Sequence, residues 1–311
     1  MGRYDAHDAG LTSPQPFVER VAVTADYLPD FLIIGRPKCG STSVARWLAD
    51  QPEVWFSSVK EPRFFNRQEQ WERGLDWYRS LFDGARDGQL LGEATVGYTN
   101  PHIAAVAAER IATTVPDCRL IYLIRHPADQ IRSAYRHLRT SRTEPGASLA
   151  EALTRPGSDY VAHAMYYTCL APYLDRFDRE QILVVRMEDV VGAGGGWDAI
   201  IAHLGLSARP RPDGAFNVSS EKGLQSRMQR VVGAVDAGGL RSRLPSGVRR
   251  VGRRLMWRRG ARFRRMLGAS RGPIPEGVLE PVWQDIARLE QWLGRVEPLW
   301  PDRVASIADR P

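Results

Sequence analysis

The chain has 311 residues and a formal net charge of +7, and only three of its 43 basic residues are lysines, Lys38, Lys60 and Lys222. This length suits one large domain, and a hydrophobic content of 43% with 25% charged residues is typical of a globular protein. The longest apolar stretches, such as 120–124, are far shorter than the roughly 20 residues that span a bilayer, so we expect no membrane-spanning segment. Three cysteines fit neither paired disulfides nor a zinc module, and we therefore expect a reducing compartment, the cytoplasm.

The polar, turn-rich residues 1–29 predict a loosely held N-terminal arm that is no signal peptide. From residue 30 onward, short apolar runs that predict strands alternate with stretches of helical spacing. The predicted strands cover 31–34, 90–93, 119–124 and 181–185, and the predicted helices include one after residue 42, 101–114, one that begins at Pro127, and 162–177. This alternation indicates an α/β fold in which a central, mainly parallel sheet is flanked by helices. We expect a single domain over 30–311 that is closed by a C-terminal helix at 276–294.

The positive charge is concentrated in residues 226–272. This segment contains fourteen arginines and one acid, Asp236, so the other 264 residues carry a net charge of −6. We predict an arginine-rich helical insertion here. It is either a solvated helix that docks by its apolar stripe or a surface, over 244–267, that contacts an anionic membrane or acceptor.

A glycine-containing loop, Gly35 to Thr42, joins the first predicted strand to the first predicted helix. In this position backbone N–H groups and the helix N-terminus bind an anion, with about 0.3–1 kcal/mol per charge from the helix dipole alone. The two glycines and the hydroxyl residue that follows them resemble the Walker A pattern. The residue after Gly40, however, is Ser41 rather than lysine, and the lysine of the loop stands earlier, at 38.

Arg125 follows the predicted strand 119–124, where a P-loop hydrolase needs an acidic residue for Mg²⁺. An arginine at this point favours a second phosphate, to which Ser133 adds a hydroxyl; the alternative is an arginine that only caps the sheet edge. Two phosphate sites without an acid for a metal predict a nucleotide with a phosphate at each end and no metal ion.

Three elements together resemble the cofactor motifs of the sulfotransferases that use 3′-phosphoadenosine 5′-phosphosulfate (PAPS). They are Lys38 to Ser43, Arg125 to Ser133, and Phe216-Asn217 followed by Lys222-Gly223. The stretch Lys60-Glu61-Pro62-Arg63-Phe64-Phe65 is similar to the Lys-Glu-x-x-Phe-Phe segment of the branch that includes heparan sulfate sulfotransferases and many bacterial relatives. The resemblance covers 31–223, resumes at 289–294, and implies a P-loop-like three-layer fold.

The resemblance implies PAPS as the co-substrate and assigns roles to individual residues. The 5′-phosphosulfate is held by the loop residues Arg36, Pro37, Lys38, Cys39, Gly40, Ser41, Thr42 and Ser43. Arg125 and Ser133 hold the 3′-phosphate, Lys222 and Gly223 close over the nucleotide, and Phe216 lies against the adenine.

Catalytic roles fall on Lys38 and Glu61. In-line sulfuryl transfer builds negative charge on the departing phosphate oxygen, and Lys38 is the cation that can stabilise this charge. Glu61 occupies the family's base position and takes the proton of the acceptor. The alternative for Glu61 is an ordinary surface ion pair with Lys60.

The acceptor is predicted to be a hydroxyl, in preference to an amine, of a small molecule, glycan or lipid. Arg63 stands where some heparan-type relatives have a histidine, and Ala94 where they have a lysine, which argues against a heparan-like acceptor. We expect Arg63 to contact an acid on the acceptor, and Tyr98 and Tyr166 to line its cleft unless they are core residues. Two other interpretations stay open at this point: a P-loop nucleotide kinase, and an arginine-rich nucleic-acid-binding protein, although we expect no specific nucleic acid.

Overall fold

The computed structural model describes residues 27–141, 143–144, 148–207, 209–211 and 272–301. Three sets of predictions therefore lie largely or wholly outside the described residues: the arm at 1–29, the insertion at 226–272, and the nucleotide contacts of Phe216, Lys222 and Gly223. In the described part of the chain, no helix is both long enough and apolar enough to cross a membrane.

Five parallel strands form the central sheet in the order β2-β3-β1-β4-β5. They are β1 (Phe31–Gly35), β2 (Val54–Phe56), β3 (Leu90–Ala94), β4 (Arg119–Ile124) and β5 (Ile182–Arg186). Both central strands, β1 and β4, are buried almost throughout, as continuous apolar runs covered on both faces should be. The predicted α/β fold with a parallel sheet is confirmed.

Ten helices of the described residues flank this sheet. They are α1 (Ser41–Ala49), α2 (Gln68–Trp71), α3 (Gly74–Ser80), α4 (Ala104–Thr114), α5 (Pro127–Ser141), α6 (Leu149–Thr154), α7 (Tyr166–Leu174), α8 (Met187–Val191), α9 (Gly196–Leu204) and α10 (Glu280–Trp292). Short 3₁₀ turns lie at Val96–Thr99, Ala162–Ala164 and Arg179–Gln181. The predicted proline start of α5 is confirmed.

The strand order places a ligand crevice at the carboxyl end of β1. This strand lies between β3 and β4. The strands β2 and β3 are added on one side of β1, and the later strands β4 and β5 are added on its other side, so the strand order reverses at β1. In open α/β sheets ligands bind at such a switch point, beyond the carboxyl ends of the strands. The loop after β1 and Arg125 after β4 both project from this edge.

The predicted helix over 162–177 is wrong in extent, because a 3₁₀ turn and the non-helical residue Met165 come before α7. The first N–H groups of α7 are bound from another helix: Asp285 of α10 accepts hydrogen bonds from Tyr167 N at 2.7 Å and Thr168 N at 2.9 Å. A carboxylate at this position caps the helix, and its negative charge interacts favourably with the positive end of the helix dipole. Helix α10 lies within the range 276–294 predicted for a C-terminal helix, and its residues Val282, Ile286 and Leu289 are buried.

Candidate active site

Left-handed backbone gives the loop after β1 its shape. Gly35 has φ 133°, and a Cβ there would lie 2.6 Å from the carbonyl oxygen of Leu123 in β4, so only glycine fits. Gly40, at φ 88°, is the N-cap of α1. Between them Lys38 adopts φ 74°, which costs a non-glycine residue about 1–2 kcal/mol. A strained lysine that the surrounding fold maintains at this point is typical of a functional loop.

The N-terminus of α1 offers an uncompensated positive end. The first turn begins with Ser41 and Thr42, contains no acidic residue, and receives no hydrogen bond from a capping side chain. The amides of Ser41 and Thr42 belong to the first turn, where helix geometry provides no intrahelical acceptor. Together with the two hydroxyls, they fit the phosphate group that the sequence predicts here.

Arg125 lies beside this loop. Its Nη1 donates to the carbonyl oxygen of Lys38 at 3.3 Å, and Gln130 Nε2 of α5 donates to that of Pro37 at 3.1 Å. Two consecutive loop carbonyls are thereby held from the β4–α5 side. Ser133 lies buried further along α5. The structure therefore brings together the two predicted phosphate elements, the loop and the Arg125 segment.

The peptide group between Arg125 and His126 is held at both ends. Tyr166 Oη donates to the carbonyl oxygen of Arg125 at 2.7 Å, and the N–H of His126 donates to Glu188 Oε1 at 2.8 Å. Tyr122 Oη in turn donates to the carbonyl oxygen of Tyr166 at 3.0 Å. The direction of Arg125 is thus set by two side chains from other elements. Sequence reasoning missed Glu188; its signal is its place three residues after the predicted strand 181–185.

The side chains of two loop residues are buried in the protein. The guanidinium of Arg36 is 1% exposed and donates to the carbonyl oxygens of Thr99 at 2.5 Å and His163 at 3.2 Å. Burial raises the pKa of the Cys39 thiol to about 12, and its sulfur lies 4.0 Å from Tyr166 Oη. For Arg36 and Cys39 only the backbone is left to contact a phosphate.

Glu61 lies between two cations in the segment that joins β2 to α2. Its Oε1 is 3.7 Å from Lys60 Nζ and its Oε2 is 3.6 Å from Arg63 Nε, with the glutamate side chain 19% exposed. The ion pair with Lys60 that the sequence offered as an alternative is therefore present. Since Glu61 stays partly exposed, the pair leaves the carboxylate accessible to a second molecule.

The two phenylalanines of the Lys-Glu-Pro-Arg-Phe-Phe segment anchor it in the core. Phe64 stacks on Tyr78, with ring centroids 4.3 Å apart and planes at 8°, and Phe65 packs against Tyr98 at 5.5 Å and 64°. Offset-stacked and edge-on ring pairs contribute about 0.5–1.5 kcal/mol each beyond the area that they bury. These contacts of Phe64 and Phe65 fix the segment in the core although it has no regular secondary structure, and they thereby hold Glu61 in place.

Glu93, the fourth residue of β3, is a second carboxylate in this region. Its Oε1 accepts from Tyr98 Oη at 2.6 Å and Tyr78 Oη at 3.0 Å, and its Oε2 from Thr95 Oγ1 at 2.9 Å. Burial raises the pKa of Glu93 to about 7; the three hydroxyls oppose this shift, and the charge of Glu61 adds to it. Sequence reasoning placed Glu93 only as the last residue of the predicted strand 90–93.

The structure places Tyr98 and Tyr166 in the core, where both are fully buried and their hydroxyls are bound to Glu93 and to Arg125. Of the two alternatives for these tyrosines, the acceptor cleft and the core, their burial favours the core. Arg63 remains about one-third exposed beside Glu61. No group of three or more His, Cys, Asp or Glu that could hold a metal occurs among the described residues.

A family profile with the description "Sulfotransferase domain" matches residues 28–192, which include the loop, Glu61, Arg125 and Glu188. The chain belongs to the sulfotransferase family. This assignment confirms the resemblance that the motifs carry.

Part of this chain is similar in sequence to sulfotransferases from mouse and human. It is 30% identical over 169 residues to the mouse bifunctional heparan sulfate N-deacetylase/N-sulfotransferase 3, covering 50% of this chain and 19% of that protein. It is 36% identical over 125 residues to the human heparan sulfate glucosamine 3-O-sulfotransferase 6, covering 40% of this chain and 34% of that one. The matched regions thus span about a fifth to a third of these relatives.

The fold has a counterpart among solved structures. A sulfotransferase from Alicyclobacillus acidocaldarius superposes with a TM-score of 0.59 at 24% identity, covering 87% of this chain and 97% of that one. This similarity shows a common fold and supports the P-loop-like α/β architecture.

Proposed function

We propose that the chain is a PAPS-dependent sulfotransferase that moves the sulfuryl group to a hydroxyl of a small-molecule, glycan or lipid acceptor by in-line transfer. One observation carries the proposal: Arg125, which takes the place of the metal-binding acid of a P-loop hydrolase, contacts the phosphate loop at Lys38. The same observation disfavours a nucleotide kinase, which needs the acid for Mg²⁺.

The donor site is assigned to the two elements that meet at the carboxyl edge of the sheet. The backbone of the loop and the amides of Ser41 and Thr42 bind the 5′-phosphosulfate, and Arg125 with Ser133 binds the 3′-phosphate. The contacts of Phe216, Lys222 and Gly223 with the nucleotide stay predictions.

The transfer itself is assigned to Lys38 and Glu61. PAPS, when bound, supplies the sulfuryl group and a bisphosphate leaving group. Lys38 stabilises the charge on the departing phosphate oxygen as the bond from that oxygen to sulfur breaks. Glu61 accepts the proton of the acceptor hydroxyl as the new bond from oxygen to sulfur forms.

For the acceptor we propose a hydroxyl compound that carries an acidic group. The cations Lys60 and Arg63 flank Glu61, and the partly exposed Arg63 can pair with an acid of the acceptor. Contact of the 244–267 segment with an anionic acceptor or membrane stays a prediction. We also propose a reducing compartment such as the cytoplasm, because Cys39, Cys118 and Cys169 are all free and buried.

The first test is ligand stabilisation. Adenosine 3′,5′-bisphosphate at about one hundred times its Kd should raise the free energy of unfolding by about 2.7 kcal/mol. This gain should persist in EDTA, because the proposed site uses cationic side chains and amides instead of a metal. Thermal unfolding with the bisphosphate, with Mg²⁺-ATP and without ligand measures it. A larger shift with Mg²⁺-ATP would favour the kinase.

The second test concerns the support of Arg125. Tyr166→Phe removes the hydroxyl that fixes its carbonyl oxygen, and the loss of one such hydrogen bond, about 0.5–1.5 kcal/mol, should weaken bisphosphate binding by up to about tenfold. Adenosine 5′-phosphate, which lacks the 3′-phosphate, should bind as before. Calorimetric titration of both nucleotides measures the difference. Tyr122→Phe is the matched control, because this equally buried hydroxyl does not touch Arg125. Equal losses for both nucleotides would contradict the role of Arg125 in binding the 3′-phosphate.

The transfer is tested directly with PAPS labelled in the sulfuryl group. Incubation with an extract of the source organism, and with separate phenol, glycan and lipid acceptors, should transfer label to a hydroxyl compound. Label on an amine would correct the acceptor chemistry, and a failure to label any compound while bisphosphate does not bind would overturn the proposed function.

A further inference from the structure

The buried carboxylate of Glu93 has no part in the transfer as proposed, although it lies at the end of β3 next to the Glu61 segment. Its hydrogen bonds come from three hydroxyls, those of Tyr78, Tyr98 and Thr95. A buried carboxylate is costly unless such donors surround it. The arrangement raises the question of what this carboxylate holds in place.

Thr95 connects Glu93 to the backbone of the Glu61 segment. Its Oγ1 donates to Glu93 Oε2 at 2.9 Å and accepts from the backbone N–H of Arg63 at 3.4 Å. A hydroxyl has one proton and two lone pairs, so a Thr95 proton directed at Glu93 leaves a lone pair facing Arg63. Glu93 therefore sets the orientation in which Thr95 can accept the Arg63 amide.

Arg63 needs such a contact. It adopts φ 57°, in the left-handed region that a residue with a Cβ occupies at a cost. Its Nε also lies 3.6 Å from Glu61 Oε2, so the backbone position of Arg63 affects the position of the carboxylate of Glu61. On the other side, Phe64 and Phe65 pack on Tyr78 and Tyr98, the tyrosines that donate to Glu93.

We propose that Glu93 is a positioning residue: through the Thr95 hydroxyl it fixes the backbone of Arg63 and so the place of Glu61 in the transfer site. The inference rests on the proposed function of Glu61 as the base. Glu93 itself does not exchange a proton with the acceptor in this account. Its effect is on the geometry of the reacting pair, to which rates are sensitive.

Four variants test the inference. Glu93→Gln keeps the shape of the side chain but places an amide donor or a weaker acceptor against Thr95, and Thr95→Val removes the hydroxyl while keeping the volume. Both should lower kcat by about ten- to one hundredfold and leave the KM for PAPS unchanged. Thr95→Ser keeps the hydroxyl and should restore most of the rate. Tyr78→Phe is the matched control: it removes a hydrogen bond to the other oxygen of Glu93, Oε1, and should reduce stability without lowering kcat.

Hydrogen exchange gives a readout that needs no acceptor. The Arg63 amide should exchange faster in Glu93→Gln and in Thr95→Val, and at the native rate in Thr95→Ser and Tyr78→Phe. Native kcat and native exchange in both Glu93→Gln and Thr95→Val would overturn the inference, and so would a serine variant as slow as the valine variant. If Glu93→Gln does not fold, the Thr95 pair decides. If the native protein transfers no sulfuryl group, the proposed function fails, while the exchange rates still decide whether Glu93 holds Arg63.

Discussion

Replacement of Glu61 by glutamine should lower the rate of sulfuryl transfer by about 10²–10⁴-fold, the range that a positioned general base contributes. The amide has nearly the same shape as the carboxylate but cannot take the proton of the acceptor. Adenosine 3′,5′-bisphosphate should still bind with native affinity, because Glu61 contacts Lys60 and Arg63 rather than the phosphate loop. Single-turnover transfer from labelled PAPS and titration with the bisphosphate measure the two quantities.

Glu69→Gln is the matched control for this variant. Glu69 lies in α2, in the same part of the chain, is mostly exposed, and faces Arg67 at 3.9 Å, so its substitution also removes the carboxylate of an ion pair. Its transfer rate should be native. A Glu61→Gln variant that keeps the full rate at neutral pH would show that another group is the base.

Replacement of Lys38 by alanine should lower the transfer rate by about 10²–10³-fold, as the removal of one group that stabilises transition-state charge typically does. Lys38→Arg should restore little of it, because a planar guanidinium does not replace a compact ammonium at a tightly folded loop. The measurement is again single-turnover transfer at saturating PAPS. A Lys38→Ala rate within a few-fold of native would contradict the assignment.

Lys38→Gly separates the chemistry of this residue from its backbone strain. Glycine adopts φ 74° without penalty, so this variant should unfold with a free energy about 1–2 kcal/mol above that of Lys38→Ala. Its transfer rate should be as low as that of the alanine variant. The stability then rises from the alanine to the glycine variant while the rate stays low, so a loss of folding cannot explain the low rate. Chemical denaturation of the two variants measures the difference in stability.

The fold was largely predictable because the strands β1, β4 and β5 each contain a continuous run of at least four apolar residues. The predicted 119–124 strand matches β4 to the residue, and the predicted strands 31–34 and 90–93 differ from β1 and β3 by one residue each. Strand β2 was missed because it has only three residues, of which two are half-exposed. The 162–177 helix was overestimated, since helical spacing does not reveal the backbone break at Met165.

The candidate site was predictable where its residues follow a strand directly. The loop after β1 and Arg125 after β4 could be placed at one edge because the carboxyl ends of parallel strands lie at the same edge of a sheet. The supports of these residues join distant parts of the chain, as Tyr166 does with Arg125 and Glu188 with His126. The burial of a tyrosine depends on such distant partners, so the sequence alone left both the acceptor cleft and the core open for Tyr98 and Tyr166.

The contact between α10 and α7 has a practical consequence for the choice of fragments. The family match ends at residue 192, yet Asp285 binds the first amides of α7, and α7 begins with Tyr166, which holds the carbonyl of Arg125. A fragment cut at the end of the matched region would keep every proposed phosphate-binding residue of the described chain and still lose the anchor that orients one of them. We therefore expect that a functional fragment must extend through α10, about one hundred residues beyond the end of the family match.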